Sequence, residues 1–201
     1  MIRVLVADDE ELIRVALAQL LDLEDDLEVV AQAPDGRAAV DEALRHRPDV
    51  AVVDLEMPRL DGVQASAELR RALPGCGVVI LTGRGRPVHL QQALAAGARG
   101  FMVKGAPASS LADVIRRVHD GQRYVDPTLA ADALAAPPSP LTERELEVLR
   151  LVADGWDSAG IAARAHLAPG TVRNYLASIQ SKLGAADRHH AARLARDAGW
   201  I

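Results

Sequence analysis

The chain has 201 residues, 49% of them hydrophobic and 25% charged, which fits a larger folded domain plus a smaller one and excludes a disordered, collagenous or coiled-coil chain. A net charge of −5 excludes a uniformly basic binder of polyanions, and a single cysteine, Cys76, excludes an intrachain disulfide. No uncharged apolar stretch is long enough to cross a membrane, and the opening MIRVLVADDEE runs into charges where a signal peptide is apolar, so a reduced, cytoplasmic protein without membrane insertion is expected.

The first half alternates β-branched runs with helical patterns. Strands are expected at Arg3–Ala7, Glu28–Ala33, Val50–Val53, Val78–Leu81 and Gly100–Val103. Each is a nearly continuous apolar run, the mark of a strand covered on both faces. Helical patterns span Glu11–Leu23, Arg37–Arg47, Val63–Leu73, Val88–Ala96 and Ser109–Asp120, with Gly or Pro at the breaks. Five strand–helix pairs in a row predict an α/β domain over residues 1–122, a five-stranded parallel sheet covered by helices on both sides. Past Tyr124 the pattern decays through Asp126-Pro127 into Ala135-Ala136-Pro137-Pro138-Ser139-Pro140, which predicts a semi-rigid linker over 123–140.

Residues 141–201 read as four short helices joined by tight turns, an all-α helix-turn-helix module. Thr142 and Glu145 have capping-box spacing at the start of the first helix, which ends at Gly155. A second helix runs from Asp157 to about Ala165, a third from Pro169 to Gly184, and a fourth from Arg188 to Gly199. Charge divides with the domains: residues 1–136 carry 15 basic and 21 acidic side chains, residues 137–201 carry 8 and 7. Between residues 164 and 196 six basic side chains face one acid, Asp187, a modest electrostatic footprint.

Acids follow two of the strands: Asp8 and Asp9 the first, Asp54 the third. In an open parallel sheet, ligands bind beyond the carboxyl ends of the strands where strand order reverses, so these carboxylates are expected in one pocket. Close like charges need a cation, and few, hard oxygen ligands suit Mg²⁺. Beside such an ion a carboxylate can attack phosphorus, which makes Asp54 the candidate phosphoacceptor. Thr82 and Lys104, ending the fourth and fifth strands, are placed to bind phosphoryl oxygens. Taken singly, Asp8 and Asp9 also fit a helix N-cap pair, Thr82 an ordinary strand end and Lys104 a surface lysine. Cys76 reads as a small packing residue.

The segments VLVADDE, VVDLEMPRLDG, ILTG and FMVKG resemble the signatures of two-component receiver domains. The resemblance implies a flavodoxin-like (CheY-like) domain in which Asp8, Asp9, Asp54 and the backbone carbonyl of Glu56 hold Mg²⁺. It further implies that Asp54 takes phosphate from a sensor histidine kinase, Lys104 contacts that phosphate, Thr82 reorients onto it, and Phe101 is the aromatic switch. Gly105 stands where many receivers have Pro.

The third helix of the module carries Val172, Leu176, Ile179 and Leu183 as a core stripe, widened by Tyr175. Its other face presents Thr171, Arg173, Asn174, Ala177, Ser178 and Lys182, polar and cationic without an acid. Such a face is either solvated or fits a major groove. In the groove, Arg173 and Asn174 would read bases, Ala177 a thymine methyl, and Thr171 and Lys182 would contact phosphate. LTERELEVLRLVADG and IAARAHLAPGTVRNYLASIQSKLGAADR resemble the LuxR-type helix-turn-helix of NarL/FixJ-family response regulators, with TVRNYL nearest their DesR-like branch. Gly160, Ala168 and Tyr175 depart from the usual Glu, capping Ser and His. Trp156 and Trp200 are expected as core plugs at helix ends, and the adjacent His189 and His190 as no metal pair.

Together these resemblances imply a transcriptional regulator and not a turnover enzyme, in which phosphorylation of Asp54 promotes a homodimer that binds a double-stranded DNA operator. Two alternatives stay open. One is an aspartyl-phosphate phosphatase, against which Asp54-Leu55-Glu56 lacks the second Asp of that motif and no cap insertion exists. The other is a constitutive DNA binder with a vestigial receiver.

Overall fold

The computed structural model describes residues 1–83, 87–135 and 139–201 as two units, Met1–Ala133 and Leu134–Ile201. In the first, strands β1 (Ile2–Ala7), β2 (Leu27–Ala33), β3 (Val50–Asp54), β4 (Gly77–Thr82), β5 (Gly100–Val103) and β6 (Tyr124–Val125) form one sheet in the order β2-β1-β3-β4-β5-β6. Every pair is parallel. Helices α1 (Glu11–Leu21), α2 (Gly36–His46), α3 (Gly62–Ala72), α4 (Pro87–Ala96) and α5 (Ala108–His119) connect the strands.

The apolar strand runs are explained by burial on both sides. Alternate residues of one strand serve two cores: Leu5 and Ala7 join Val53, Ile80, Leu69 and Phe101, while Val4 and Val6 join Val52, Leu21, Leu111 and Ile115. Local chemistry sets the helix starts. Asp35 accepts from the Ala38 backbone N–H at 2.9 Å and Asp61 from that of Gln64 at 2.7 Å, each capping an orphan donor.

The sheet has six strands where five were expected, and much of the expected 123–140 linker is ordered. The Tyr124 N–H donates to the Arg99 carbonyl at 2.8 Å and the Asp126 N–H to that of Phe101 at 2.9 Å, which zips β6 onto β5. A two-residue strand is too short to show a period. Helix α6 (Pro127–Ala135) follows, with Asp126 Oδ1 accepting from the Thr128 N–H at 2.9 Å and Leu129 buried in the sheet core. A Pro/Ala-rich string reads as a linker, yet Pro suits a helix's first turn and Ala its interior. Residues 136–138, near the end of the expected linker, lie outside the described residues.

The second unit contains α7 (Glu143–Ala153), α8 (Ser158–Arg164), α9 (Pro169–Leu183) and α10 (Arg188–Asp197) around a core of Leu149, Val152, Ile161, Val172, Ile179 and Ala195. The capping box at α7 forms as its spacing predicts. Asp157 and Asp187 cap α8 and α10, and Gly184 ends α9 in the left-handed conformation at φ 60°. Ala168, the N-cap of α9, makes no side-chain cap, so Pro169 alone marks that start.

Candidate functional site

Because β1 and β3 are neighbours, with Ala7 opposite Val53, the residues just past Ala7 and Val53 emerge together where strand order reverses. Asp8, Asp9 and Asp54 each bring a carboxylate oxygen within 4.8 Å of the others. Asp8 and Asp54 are buried; Asp9 is exposed. The N-cap alternative fails for this pair, since Glu10 holds the cap position of α1 and Asp8 Oδ1 instead accepts from the Glu10 N–H at 3.0 Å.

Lys104, at the end of β5, is no ordinary surface lysine. Its Nζ lies 2.8 Å from Asp8 Oδ2, 3.1 Å from Asp54 Oδ1 and 3.7 Å from Glu10 Oε1, with the side chain 17% exposed. Its backbone N–H donates to the Thr82 carbonyl at 2.7 Å, joining the ends of β4 and β5. Thr82 is buried at the end of β4, and Phe101 is fully buried on β5 opposite Ile80. The Glu56 side chain is exposed, on the loop that leads to α3.

Two features of this loop escaped the sequence reading. Arg59 takes φ 66°, in the left-handed region, and pairs with the buried carboxylate of Asp35, which also caps α2. Gly62 is needed for close approach: a Cβ there would lie 2.4 Å from the Asp54 carbonyl oxygen. The Pro34-Asp35-Gly36 break and the DG of LDG signal turns, but nothing local names their partners. Arg14, also missed, donates from Nη1 to the Asp8 carbonyl at 2.7 Å.

Burial pushes the Asp54 carboxyl up to about 6, Asp8 adds to the rise, and Lys104 opposes it. Burial would lower the Lys104 ammonium, but hydrogen bonds and attraction from Asp8 and Asp54 carry it above its usual range. Three carboxylates thus share one ammonium, an oxygen-rich pocket with charge left to neutralise, which fits a small divalent cation. Among the described residues this is the one acid, histidine or cysteine cluster able to hold a metal. Cys76 is half-buried with its thiol pushed up to about 12 by burial, in keeping with a packing role.

In the second unit α9 buries Val172, Leu176 and Ile179, while Arg173, Asn174 and Ala177 are exposed and Thr171 is half-buried. The rest of its outer face differs from expectation. Ser178 Oγ donates to Glu145 Oε1 at 2.7 Å and Lys182 Nζ to Glu145 Oε2 at 2.7 Å. The face read as free of acids therefore meets one, supplied by α7. Burial alone would raise the Glu145 carboxyl, but Lys182, the Thr142 N–H and Ser178 outweigh it and hold it down at about 2. Trp156 is not a core plug: it is 39% exposed, with the Arg164 guanidinium 3.6 Å from its ring centroid. Trp200 packs against the helical core, as expected.

A parallel sheet with acids at its switch point, followed by a helical module with an exposed polar helix, defines a receiver joined to a helix-turn-helix domain. Residues 4–116 match the family model "Response regulator receiver domain", and residues 139–195 match "Bacterial regulatory proteins, luxR family". The chain is 42% identical over 201 residues to the transcriptional regulatory protein DesR of Bacillus subtilis, covering all of both chains. It is 42% identical over 206 residues to response regulator RamR of Streptomyces coelicolor, covering 100% of this chain and 98% of the relative. Among solved structures, response regulator ChrA of a heme-sensing two-component system aligns with TM-score 0.59 and 34% identity, over 100% of this chain and 98% of that one. The chain belongs to the NarL/FixJ family of two-component response regulators, on its DesR-like branch, with a LuxR-type DNA-binding domain. Relatives in this family are transcriptional regulators, which sets aside the phosphatase alternative. Among the described residues no helix is long and apolar enough to cross a membrane.

Proposed function

We propose that Asp54 is the phosphoacceptor and that its phosphorylation by a sensor histidine kinase in the cytoplasm drives dimerisation and operator binding. The observation that carries this reading is the convergence of the Asp8, Asp9 and Asp54 carboxylates with Lys104 Nζ 3.1 Å from Asp54 Oδ1. An Asp54 oxygen forms the new O–P bond as the N–P bond of a kinase phosphohistidine breaks, leaving the kinase histidine as the departing group. Mg²⁺ held by the carboxylates of Asp8, Asp9 and Asp54 and the backbone carbonyl of Glu56 would neutralise the phosphoryl oxygens. Lys104 passes from the carboxylates to a phosphoryl oxygen, the Thr82 hydroxyl turns onto another, and buried Phe101 repacks behind it. The chain is a phosphate acceptor with slow self-hydrolysis, and not a turnover enzyme.

In the LuxR-type domain, Arg173, Asn174 and Ala177 read base edges and Thr171 contacts a phosphate of double-stranded DNA. Their support is exposure on one helix whose opposite stripe is core. Lys182, tied to Glu145, is left out of this set.

The test is intact mass after acetyl phosphate and MgCl₂, followed by sizing chromatography. Wild type should gain about 80 Da, the mass of one phosphoryl group, and shift toward dimer. Asp54→Asn should do neither. An adduct that persists in the variant refutes the acceptor assignment, and equal operator affinity with and without phosphodonor would make the receiver vestigial.

A further inference from the structure

We infer that Glu145 limits sequence-independent DNA binding by the DNA-facing helix: its buried carboxylate cancels the charge of Lys182, which would otherwise hold any phosphate backbone. The inference rests on the reading of α9 as the face toward DNA.

The two ends of this ion pair are unequal. Glu145 has a side chain 4% exposed and Lys182 one 37% exposed, with Nζ 2.7 Å from Oε2. Three further bonds fix the carboxylate: Oε2 accepts from the Thr142 N–H at 2.7 Å and from Thr142 Oγ1 at 3.0 Å, and Oε1 accepts from Ser178 Oγ at 2.7 Å. Glu145 therefore cannot follow Lys182 if the ammonium swings out to a phosphate, and the carboxylate would stay behind, buried and without its counter-charge. Phosphate contacts supply most non-specific affinity and carry no sequence information, whereas Arg173 and Asn174 are placed to read bases. Withholding one cation from the backbone lowers binding to every sequence alike, so less of the protein is held on DNA that offers no base contacts, while the ratio between sequences is unchanged. The sequence alone shows Lys182 as a free cation on the outer face; only the packing of α7 against α9 supplies the acid.

Glu145→Gln separates charge from shape. Gln at this position can keep its one oxygen on the Thr142 N–H, which preserves the capping box, with its amide N–H donating to Ser178 Oγ, yet it carries no charge to hold Lys182. The probe is a labelled mixed-sequence duplex of about 30 base pairs, titrated with the full chain across KCl concentrations and read by fluorescence anisotropy. E145Q should bind this duplex more tightly than wild type and show a log K against log salt slope steeper by about 0.9 for each Lys182 engaged. Its advantage then shrinks about 3.5-fold for each Lys182 between roughly 50 and 200 mM salt. Lys182→Met and the double variant should keep the wild-type slope.

An unchanged slope in E145Q, or a flatter one in K182M, overturns the inference, the latter because Lys182 would already be neutralising a phosphate. If E145Q fails to fold by circular dichroism, K182M alone decides: an unchanged slope supports masking and a flatter slope refutes it. Arg173→Glu, which sets an acid on the exposed face of α9, isolates the underlying reading. Weaker binding of the duplex there supports α9 as the DNA face, while no effect refutes that placement whatever the Glu145 arms show.

Discussion

Lys104→Met tests the charge balance of the receiver pocket in metal-free buffer. The substitution keeps an apolar stem but removes the ammonium that lies 2.8 Å from Asp8 and 3.1 Å from Asp54. Two buried carboxylates are then left together without a counter-ion. Removing one partner of a buried pair costs about 3–5 kcal/mol. The lower end applies because Lys104 keeps 17% of its side chain in solvent and because Asp54, already lifted to about 6, can take up a proton. A loss of about 3 kcal/mol at pH 8 corresponds to roughly 10 °C in the melting of a unit this size. Far-UV circular dichroism in EDTA follows both units, and tryptophan fluorescence picks out the helical one, since Trp156 and Trp200 both lie there, so the transition seen only by circular dichroism is the receiver's. Adding Asp54→Asn to the variant should restore more than half of the loss by removing one of the opposed charges, and MgCl₂ should do the same without it. Melting of K104M within about 0.5 kcal/mol of wild type, or no recovery in the double variant, refutes the account of Lys104 as the neutralising group.

Gly62→Ala places a Cβ 2.4 Å from the Asp54 carbonyl oxygen, a backbone atom with little room to yield. Expected are a stability loss of about 1–3 kcal/mol in urea titration and slower adduct formation with acetyl phosphate; wild-type values for both contradict the close-approach argument. A pH series on the helical unit tests Glu145, whose folded carboxyl titrates at about 2 against an ordinary 4.5. A lowered folded value means that the unfolded chain binds more protons. The contribution, up to about 3 kcal/mol, is therefore full above about pH 4.5 and lost as pH falls toward 2. Tryptophan-monitored unfolding should show this loss in wild type and its absence in E145Q.

Periodicity and strand-end chemistry carried most of the α/β domain. The five longer strands were legible because each is an apolar run covered on both faces, and Asp8, Asp9 and Asp54 because acids directly after such runs sit at the sheet edge. β6 and α6 were not legible: Tyr124-Val125 is too short for a period, and α6 is anchored by Leu129 in a core assembled from strands far away in the chain. Trp156 was misplaced for a related reason, since its ring takes the Arg164 guanidinium as a partner instead of a place in the core.

The amino-acid sequence by itself determined the five longer strands and the helices between them, the capping box at Thr142 and the placing of acids at strand ends, because period, capping and turn chemistry act within a few residues. Only the tertiary structure decided which distant groups meet. The pairings of Lys104 with Asp8 and Asp54, Arg59 with Asp35, and Lys182 with Glu145 depend on strand order and helix packing. No local pattern encodes them, because an ion pair constrains where two side chains end in space and not how far apart they stand along the chain.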